Sequence, residues 1–146
     1  HTPGAGAAGG TGGGVLGLFN ATVKPGIELV LNLAHGREAC AWTDVVITGE
    51  GSIDSQTPYG KVPSGIPKLA QSQGKPTIAI GGTVTRDPHT VEALNETGII
   101  ATFGIAPGPA DLTTLIANTE RNVEITCAAI ASTLRITAAT SPCESA

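Results

Sequence analysis

The sequence predicts an α/β fold in which a parallel sheet carries helices on both faces, a Rossmann-like three-layer arrangement. Short apolar runs rich in β-branched residues alternate along the chain with segments of helical periodicity. This alternation is typical of parallel strands joined by right-handed crossovers. The 146 residues suffice for one domain and are too few for two. Because only three strands are evident, we expect the domain to be incomplete.

Two helical candidates precede the first strand. Residues 4–19 alternate glycine clusters with small apolar residues, and each glycine inside a helix costs about 1 kcal/mol relative to alanine. A helix there would need a neighbour packed closely against it. After Pro25, apolar residues recur at the helical spacing i, i+3, i+4 and i+7, namely at Ile27, Val30, Leu31 and Ala34.

Three apolar segments are predicted to be strands, at residues 44–48, 76–80 and 99–105. Their nearly continuous apolar character suits strands that are buried in a parallel sheet. We expect glycine-rich loops to follow the first two strands, beginning at Gly49 and at Gly81.

Three further helices are expected after the first strand. Residues 64–74 form a short one, and residues 88–96 form the next, with Gly98 as its C′ glycine. Asp111 is a suitable N-cap for a last helix that reaches about Arg135. The apolar stripe of this last helix comprises Leu112, Leu115, Ile116, Val123, Cys127, Ile130 and Leu134.

Composition and charge argue against several classes of protein. A net charge of −4, with only eight Lys and Arg residues, does not suit a surface for nucleic acid or anionic membranes. No apolar stretch approaches the roughly 18 residues of a membrane span, and no signal peptide is recognisable. The three widely spaced cysteines predict neither a disulfide framework nor a zinc site. We therefore expect a cytoplasmic protein. Since the chain begins with His1 and has no Met, we also expect a fragment of a longer product.

The most informative segment runs from Val45 to Lys61, where the first predicted strand leads into a turn rich in glycine, hydroxyl and charged residues. In open parallel α/β sheets, ligands bind at the carboxyl ends of the strands. This turn is therefore predicted to be a binding or catalytic loop. Its candidate residues are Gly49, Glu50, Gly51, Ser52, Asp54, Gln56, Thr57, Gly60 and Lys61.

The charged residues of this loop suit phosphoryl transfer. Glu50 and Asp54 could hold Mg²⁺ or accept a substrate proton, and Lys61 could neutralise phosphate oxygens. Backbone N–H groups could face an anion at the glycines, which are Gly49, Gly51 and Gly60. Three polar side chains could hydrogen-bond a small polyol or acid, namely Ser52, Gln56 and Thr57. The alternative is a solvated loop with an ordinary Glu–Lys surface pair.

A weaker candidate lies near the start of the chain. Gly4, Gly6 and Gly9 match the pattern G-x-G-x-x-G, and Glu28 stands near the distance at which a dinucleotide site has its acidic residue. That fingerprint requires a preceding strand, and only three residues precede the pattern here. Close packing of a helix against its neighbour is the alternative explanation of these glycines.

Two residues after the second strand are also candidates. Thr83 and Arg86 belong to the same carboxyl edge of the sheet as the main loop. For Arg86, an ion pair in the neighbourhood of Asp87 is the alternative. The sequence contains no Walker A motif, so any ATP site is not a P-loop.

Five segments, read in order, resemble the bacterial type-I glycerate kinases. They are PGAGAAGG at 3–10, KPGIELVL at 24–31, DVVITGEGSIDSQTPYGKVP at 44–63, GKPTIAIGGTV at 74–84 and PGP at 107–109. The core GEG-x-x-D-x-Q-T-x-x-GK is a specific motif. The resemblance implies a kinase of two α/β domains with its site in the cleft between them. It also implies phosphorylation of glycerate from ATP and Mg²⁺, typically to 2-phosphoglycerate.

The resemblance implies site residues as well. The motif positions are occupied by Glu50, Asp54, Gln56, Thr57 and Lys61. We assign Asp54 as the base or a metal ligand, and Lys61 to phosphate. The side chains of Gln56 and Thr57 are assigned to substrate. Glu50 joins Asp54 as a Mg²⁺ ligand in this assignment. Ser52 stands where many relatives carry arginine.

By this resemblance, residues 1–137 are the carboxy-terminal α/β portion of a glycerate kinase, and residues 138–146 are a frayed tail. We expect the missing amino-terminal half of the polypeptide to complete the cleft, and the isolated chain to have no appreciable kinase activity. One alternative is an α/β module that binds a small anion or a nucleotide without chemistry. Another is a dinucleotide-binding fragment built on the early glycines.

Overall fold

The computed structural model describes residues 2–19, 21–59 and 65–140. Three helices come first: α1 Thr11–Phe19, α2 Gly26–Leu33 and α3 Gly36–Trp42. Strands and helices then alternate: β1 Val46–Ile53, α4 Gly65–Gln71, β2 Thr77–Val84, α5 Pro88–Glu96 and β3 Ile99–Gly104. Two helices end the described part of the chain, α6 Leu112–Ala117 and α7 Thr119–Thr140. Short 3₁₀ helices cover Ala7–Gly10 and Thr57–Tyr59.

The strands that the structure describes form one parallel sheet in the order β1–β2–β3. Both crossovers step in the same direction across the sheet, so right-handed connections place α4 and α5 on the same face. On that face Leu94 of α5 packs with Ile53, Ala79 and Ile99 in the buried core. Because side chains alternate between the faces of a strand, Ile80 lies opposite Ala79, where α6 and α7 flank the sheet. The predicted parallel α/β fold is confirmed.

The first two strands are longer than predicted. The expectation that loops begin at Gly49 and at Gly81 is wrong, because β1 and β2 stay paired as far as Ile53 and Val84. Glycine permits this extension: a Cβ on Gly82 would lie 2.6 Å from the carbonyl oxygen of Gly51. Glu50 and Ser52 are therefore strand residues, held in register with a neighbouring strand.

The helices follow the sequence closely except at two breaks. After α2, a separate helix α3 begins at Gly36, preceded by His35 with a left-handed φ of 52°. The single helix expected from Asp111 to Arg135 is instead two helices, since α6 ends before Asn118 and α7 begins after it. The predicted C′ glycine is confirmed, with Gly98 at a φ of +94°.

The glycine-rich first helix is more exposed than the sequence predicted. Residues 11–19 are helical, as the sequence allowed, but none of them is buried within the described chain. Among the described residues, no helix combines the length and apolar character needed to cross a membrane.

The N-terminus of α5 carries a pH-dependent stabilising contact. The Asp87 carboxylate caps this helix, and its pKa is lowered because it accepts hydrogen bonds from the backbone N–H and the hydroxyl of Thr90, at 2.9 and 2.8 Å. A lowered folded-state pKa adds stability above the ordinary aspartate pKa of about 4, and that stability is lost as the pH falls through the folded-state value.

We predict that Asp87→Ala lowers the free energy of unfolding at pH 7, and that this deficit shrinks below about pH 4, where the wild-type carboxylate becomes protonated. Urea unfolding of both proteins between pH 2 and pH 7 measures it. Glu92→Gln, on the exposed surface of the same helix, is the control. A deficit that stays constant across this pH range would contradict the capping explanation.

Candidate functional site

The candidate site lies at the carboxyl end of β1 and in the turn that follows it. Glu50 and Ser52 belong to the strand itself. Asp54 begins the turn, which passes into the 3₁₀ helix at Thr57. The structure therefore gathers the first part of the predicted loop at the carboxyl edge of the parallel sheet, where ligands of open α/β folds bind.

Thr57 joins the strand to the turn. Its hydroxyl donates a hydrogen bond to Glu50 Oε1 at 2.6 Å and accepts one from the backbone N–H of Asp54 at 3.0 Å. Thr57 is only 4% exposed. Since both bonds are partly buried, the hydroxyl fixes the Glu50 carboxylate relative to the turn.

Asp54 is held by the turn that it begins. Its Oδ1 accepts a hydrogen bond from the Gln56 backbone N–H at 2.8 Å, the contact of an Asx turn. Its Oδ2 accepts a longer one from the Ser52 hydroxyl at 3.5 Å. The side chain is exposed, and a carboxylate can accept about four hydrogen bonds, so the oriented carboxylate retains capacity for a ligand.

Thr83 connects this cluster to the neighbouring strand. It pairs in register with Ser52, and its hydroxyl donates to Ser52 Oγ at 2.9 Å. The hydroxyls and the Asp54 carboxylate thus form a chain across β2, β1 and the turn. The sequence placed Thr83 at the same edge as the main loop, and the structure puts it in direct contact with that loop.

The other predicted site residues differ in what the structure says of them. Gly60 and Lys61 lie outside the described residues, so their assignments stay predictions. Gln56 contributes a backbone contact, while its side chain is exposed. Arg86 is exposed beyond the end of β2, and among the described residues it forms neither the proposed ion pair near Asp87 nor a contact with the site.

The early glycines lie in a turn and a 3₁₀ helix before α1. No strand precedes them within the described residues. Gly4 has a φ of +82°, and a Cβ there would lie 2.9 Å from a methyl group of Val23. For Gly4, close packing therefore accounts for the glycine.

The structure adds a cavity of about 520 Å³ that the sequence did not reveal. It lies between the carboxyl edge of β1–β2 and the helices α6 and α7. The apolar residues after Asp111 could have indicated this cavity, but their spacing predicted the packed apolar stripe of a single helix. Because the helix breaks at Asn118, α6 and α7 are separate helices that line one side of the cavity. The residues that line this side are Leu112, Leu115, Ile116, Thr119, Asn122 and Val123.

The described residues limit what metal this site could hold. Within ranges 2–19, 21–59 and 65–140, no cluster of three or more His, Cys, Asp or Glu side chains could coordinate an ion by itself. Glu50 and Asp54 nevertheless offer carboxylate oxygens at the same turn, where the Thr57 hydroxyl links the Glu50 carboxylate to the Asp54 backbone N–H. Mg²⁺ is commonly held by one or two carboxylates together with substrate phosphates and water, so this donor set fits Mg²⁺ bound with a nucleotide.

Comparison with known proteins assigns the family. A model of the glycerate kinase family matches residues 1–135. The chain belongs to the glycerate kinase family. It is 40% identical over 134 residues to a glycerate kinase of Bacillus cereus, covering 92% of this chain and 34% of that protein. It is 43% identical over 103 residues to a glycerate 2-kinase of Escherichia coli, covering 70% of this chain and 26% of that protein.

A solved structure agrees with this assignment. The chain superposes on a crystal structure from Salmonella typhimurium LT2, assigned as glycerate kinase 2, with a TM-score of 0.68 and 36% identity. The match covers 91% of this chain and 33% of that one. The chain thus spans about a quarter to a third of the length of these relatives, and the expected resemblance to glycerate kinases is confirmed.

Proposed function

We propose that this chain is the carboxy-terminal portion of an enzyme that transfers the γ-phosphoryl group of ATP to glycerate, with 2-phosphoglycerate as the favoured product. The observation that carries the proposal is the hydrogen-bonded set of Glu50, Thr57 and Asp54 at the carboxyl edge of the sheet. These residues belong to the most specific motif that the chain shares with its family. ATP as donor favours a cytoplasmic setting.

Asp54 is proposed as the base. A hydroxyl oxygen of glycerate attacks the γ-phosphorus, the bond between that phosphorus and the bridging oxygen of ADP breaks, and the hydroxyl proton passes to the Asp54 carboxylate. Such catalysis depends on positioning and on charge stabilisation more than on covalent chemistry. The Asx turn supplies the positioning, because it orients the carboxylate through the Gln56 N–H.

Glu50 and Asp54 are the proposed holders of Mg²⁺, together with phosphate oxygens and water. When bound, Mg²⁺ would neutralise the charge that develops on the phosphoryl oxygens. Lys61 is proposed to serve the same purpose. Thr57 has both of its described hydrogen bonds directed to protein partners, so we assign it to holding Glu50 in place instead of contacting substrate.

The remainder of the polypeptide is proposed to supply the other wall of the cleft. The length of the relatives supports this, since the chain covers 34% and 26% of the two kinases compared above. Residues 1–137 then form the carboxy-terminal α/β portion. We expect the 146-residue chain alone to turn over no glycerate, because half of the cleft is missing.

The test is an assay of the full-length parent polypeptide with Mg-ATP and D-glycerate, followed by ³¹P NMR of the product. Phosphate on C2 couples to one carbinol proton and gives a doublet, whereas phosphate on C3 couples to two protons and gives a triplet. We expect a doublet from the parent and no product from the isolated chain. Binding of Mg-ATP by the parent without any phosphoglycerate would refute the proposal and favour a nucleotide-binding module.

A further inference from the structure

We propose that the cavity between the carboxyl edge of the sheet and helices α6 and α7 binds the adenine base of ATP, and that Asn122 recognises the hydrogen-bonding edge of the base. The inference rests on the proposed function and deepens it, since it says where the nucleotide lies and what selects it.

The cavity has the size and the lining of a site for a flat apolar ring. Its volume of about 520 Å³ falls within the range of about 300–1,000 Å³ for small-molecule sites. Ile80 of β2 forms part of one wall, and Leu115, Ile116 and Val123 form part of the opposite wall. These aliphatic side chains can contact both faces of a purine and shield it from water.

Glycine keeps the sheet side of the cavity open. Gly49 lines it, and a Cβ at this position would lie 3.0 Å from a side-chain carbon of Ile80. A larger residue would therefore push the Ile80 side chain out of place. Packing within β1 therefore explains the glycine at position 49, whereas the sequence suggested that this glycine belongs to a loop.

Asn122 places a polar side chain in the wall of the cavity. It lies on α7, is 8% exposed and lines the cavity. Its side-chain amide forms no hydrogen bond with any other residue that the structure describes. Both its donor and its acceptor are therefore available to a ligand, which can hydrogen-bond them inside a largely apolar cavity.

At the N6/N7 edge of a purine, a side-chain amide distinguishes adenine from guanine. The amide presents an N–H donor beside a carbonyl acceptor, and adenine presents an amino donor beside a ring-nitrogen acceptor, so the two can pair through two hydrogen bonds. Guanine presents two acceptors, O6 and N7, at the corresponding edge, which leaves the amide carbonyl facing another acceptor.

The position of the cavity connects the base to the proposed reaction centre. Glu50 and Thr83 line the cavity and also belong to the hydrogen-bonded cluster around Asp54. A base held against Asn122 would thus direct its phosphates toward the edge where Mg²⁺ and Asp54 are proposed to act. A segment from the rest of the polypeptide is the competing occupant, and it would prevent adenosine from binding.

The experiment is a calorimetric titration of the full-length parent with adenosine and, separately, with guanosine. Adenosine carries no phosphate, so its binding reports the cavity and not the transfer chemistry. We expect adenosine to bind about 10-fold more tightly than guanosine, and Asn122→Asp to weaken adenosine by about 10-fold. The Asp variant keeps the shape of the side chain, and Asn122→Ala provides a second variant. Asn95→Asp, on the exposed surface of α5, is the matched control.

The outcomes separate this inference from the proposed function. If the parent phosphorylates glycerate while adenosine binds equally to wild type and both Asn122 variants, the inference is overturned and the function stands. Absence of adenosine binding, as expected if another segment fills the cavity, overturns it as well. If adenosine binding depends on Asn122 but no phosphoglycerate forms, the adenine site stands and the function falls.

Discussion

Asp54→Asn in the full-length parent is expected to lower kcat for glycerate phosphorylation by about 10²–10⁴-fold, the contribution typical of a positioned general base. The amide is nearly the same size as the carboxylate, and its oxygen can still accept the hydrogen bond from the Gln56 N–H, 2.8 Å away in the wild type. The Asx turn should therefore persist. An amide cannot take the substrate proton, and it is a poorer ligand for Mg²⁺ than a carboxylate.

Steady-state kinetics with varied glycerate and varied Mg-ATP would measure this effect. Asp44→Asn is the matched control, because Asp44 is also an exposed aspartate but precedes β1, at the opposite end of the strand from the site. Its kcat should stay near that of the wild type. A kcat for Asp54→Asn within about threefold of wild type would mean that Asp54 only shapes the turn, and the catalytic assignment would be lost.

Much of the fold could be predicted from local sequence alone. The apolar run before Gly49 identified β1, and the spacing from Pro88 to Gly98 identified α5 with both of its ends. These features depend on short-range chemistry: β-branched residues favour strands, and proline and glycine favour the two ends of a helix. No pairing partner needs to be known for such predictions.

The features that the sequence did not predict depend on contacts between segments that are distant along the chain. Gly49 and Gly51 were expected in a loop because glycine is common in turns, yet both lie within β1, where Gly49 pairs with Ile80 of β2. Only the register between the two strands shows that Gly49 needs a small residue, since a Cβ there would lie 3.0 Å from a side-chain carbon of Ile80. In the same way, the cavity depends on the break at Asn118 and on how α6 and α7 lie against the sheet, neither of which the apolar spacing encodes.

The residue types of the candidate site can be read from the sequence, whereas the contacts of each side chain cannot. The sequence grouped Thr57 with the residues that contact substrate, because its hydroxyl could hydrogen-bond a small polyol or acid. The structure shows that hydroxyl buried between Glu50 and the Asp54 backbone. A hydroxyl can contact either a ligand or the protein, and only the fold distinguishes the two.

Thr57→Val is expected to disturb both stability and catalysis. Valine fills nearly the same volume, but it removes the donor to Glu50 and the acceptor for the Asp54 N–H at a position that is 4% exposed. Leaving such groups unpaired costs about 1–3 kcal/mol, which urea unfolding would detect as a lower midpoint with an unchanged slope. With Glu50 no longer fixed, kcat should fall by about 10–100-fold in the parent enzyme.

Thr57→Ser distinguishes a positioning role from a purely structural one, because it keeps the hydroxyl and removes only a methyl group. We expect the serine variant to retain most of the wild-type kcat, and the valine variant to need a higher Mg²⁺ concentration for half-maximal rate, since Glu50 is a proposed metal ligand. If both variants lost kcat equally and shared the wild-type Mg²⁺ dependence, the methyl packing would matter and the hydroxyl would not. That result would contradict the assignment of Glu50 as a metal ligand. It would also remove the link between the turn and the proposed phosphoryl transfer.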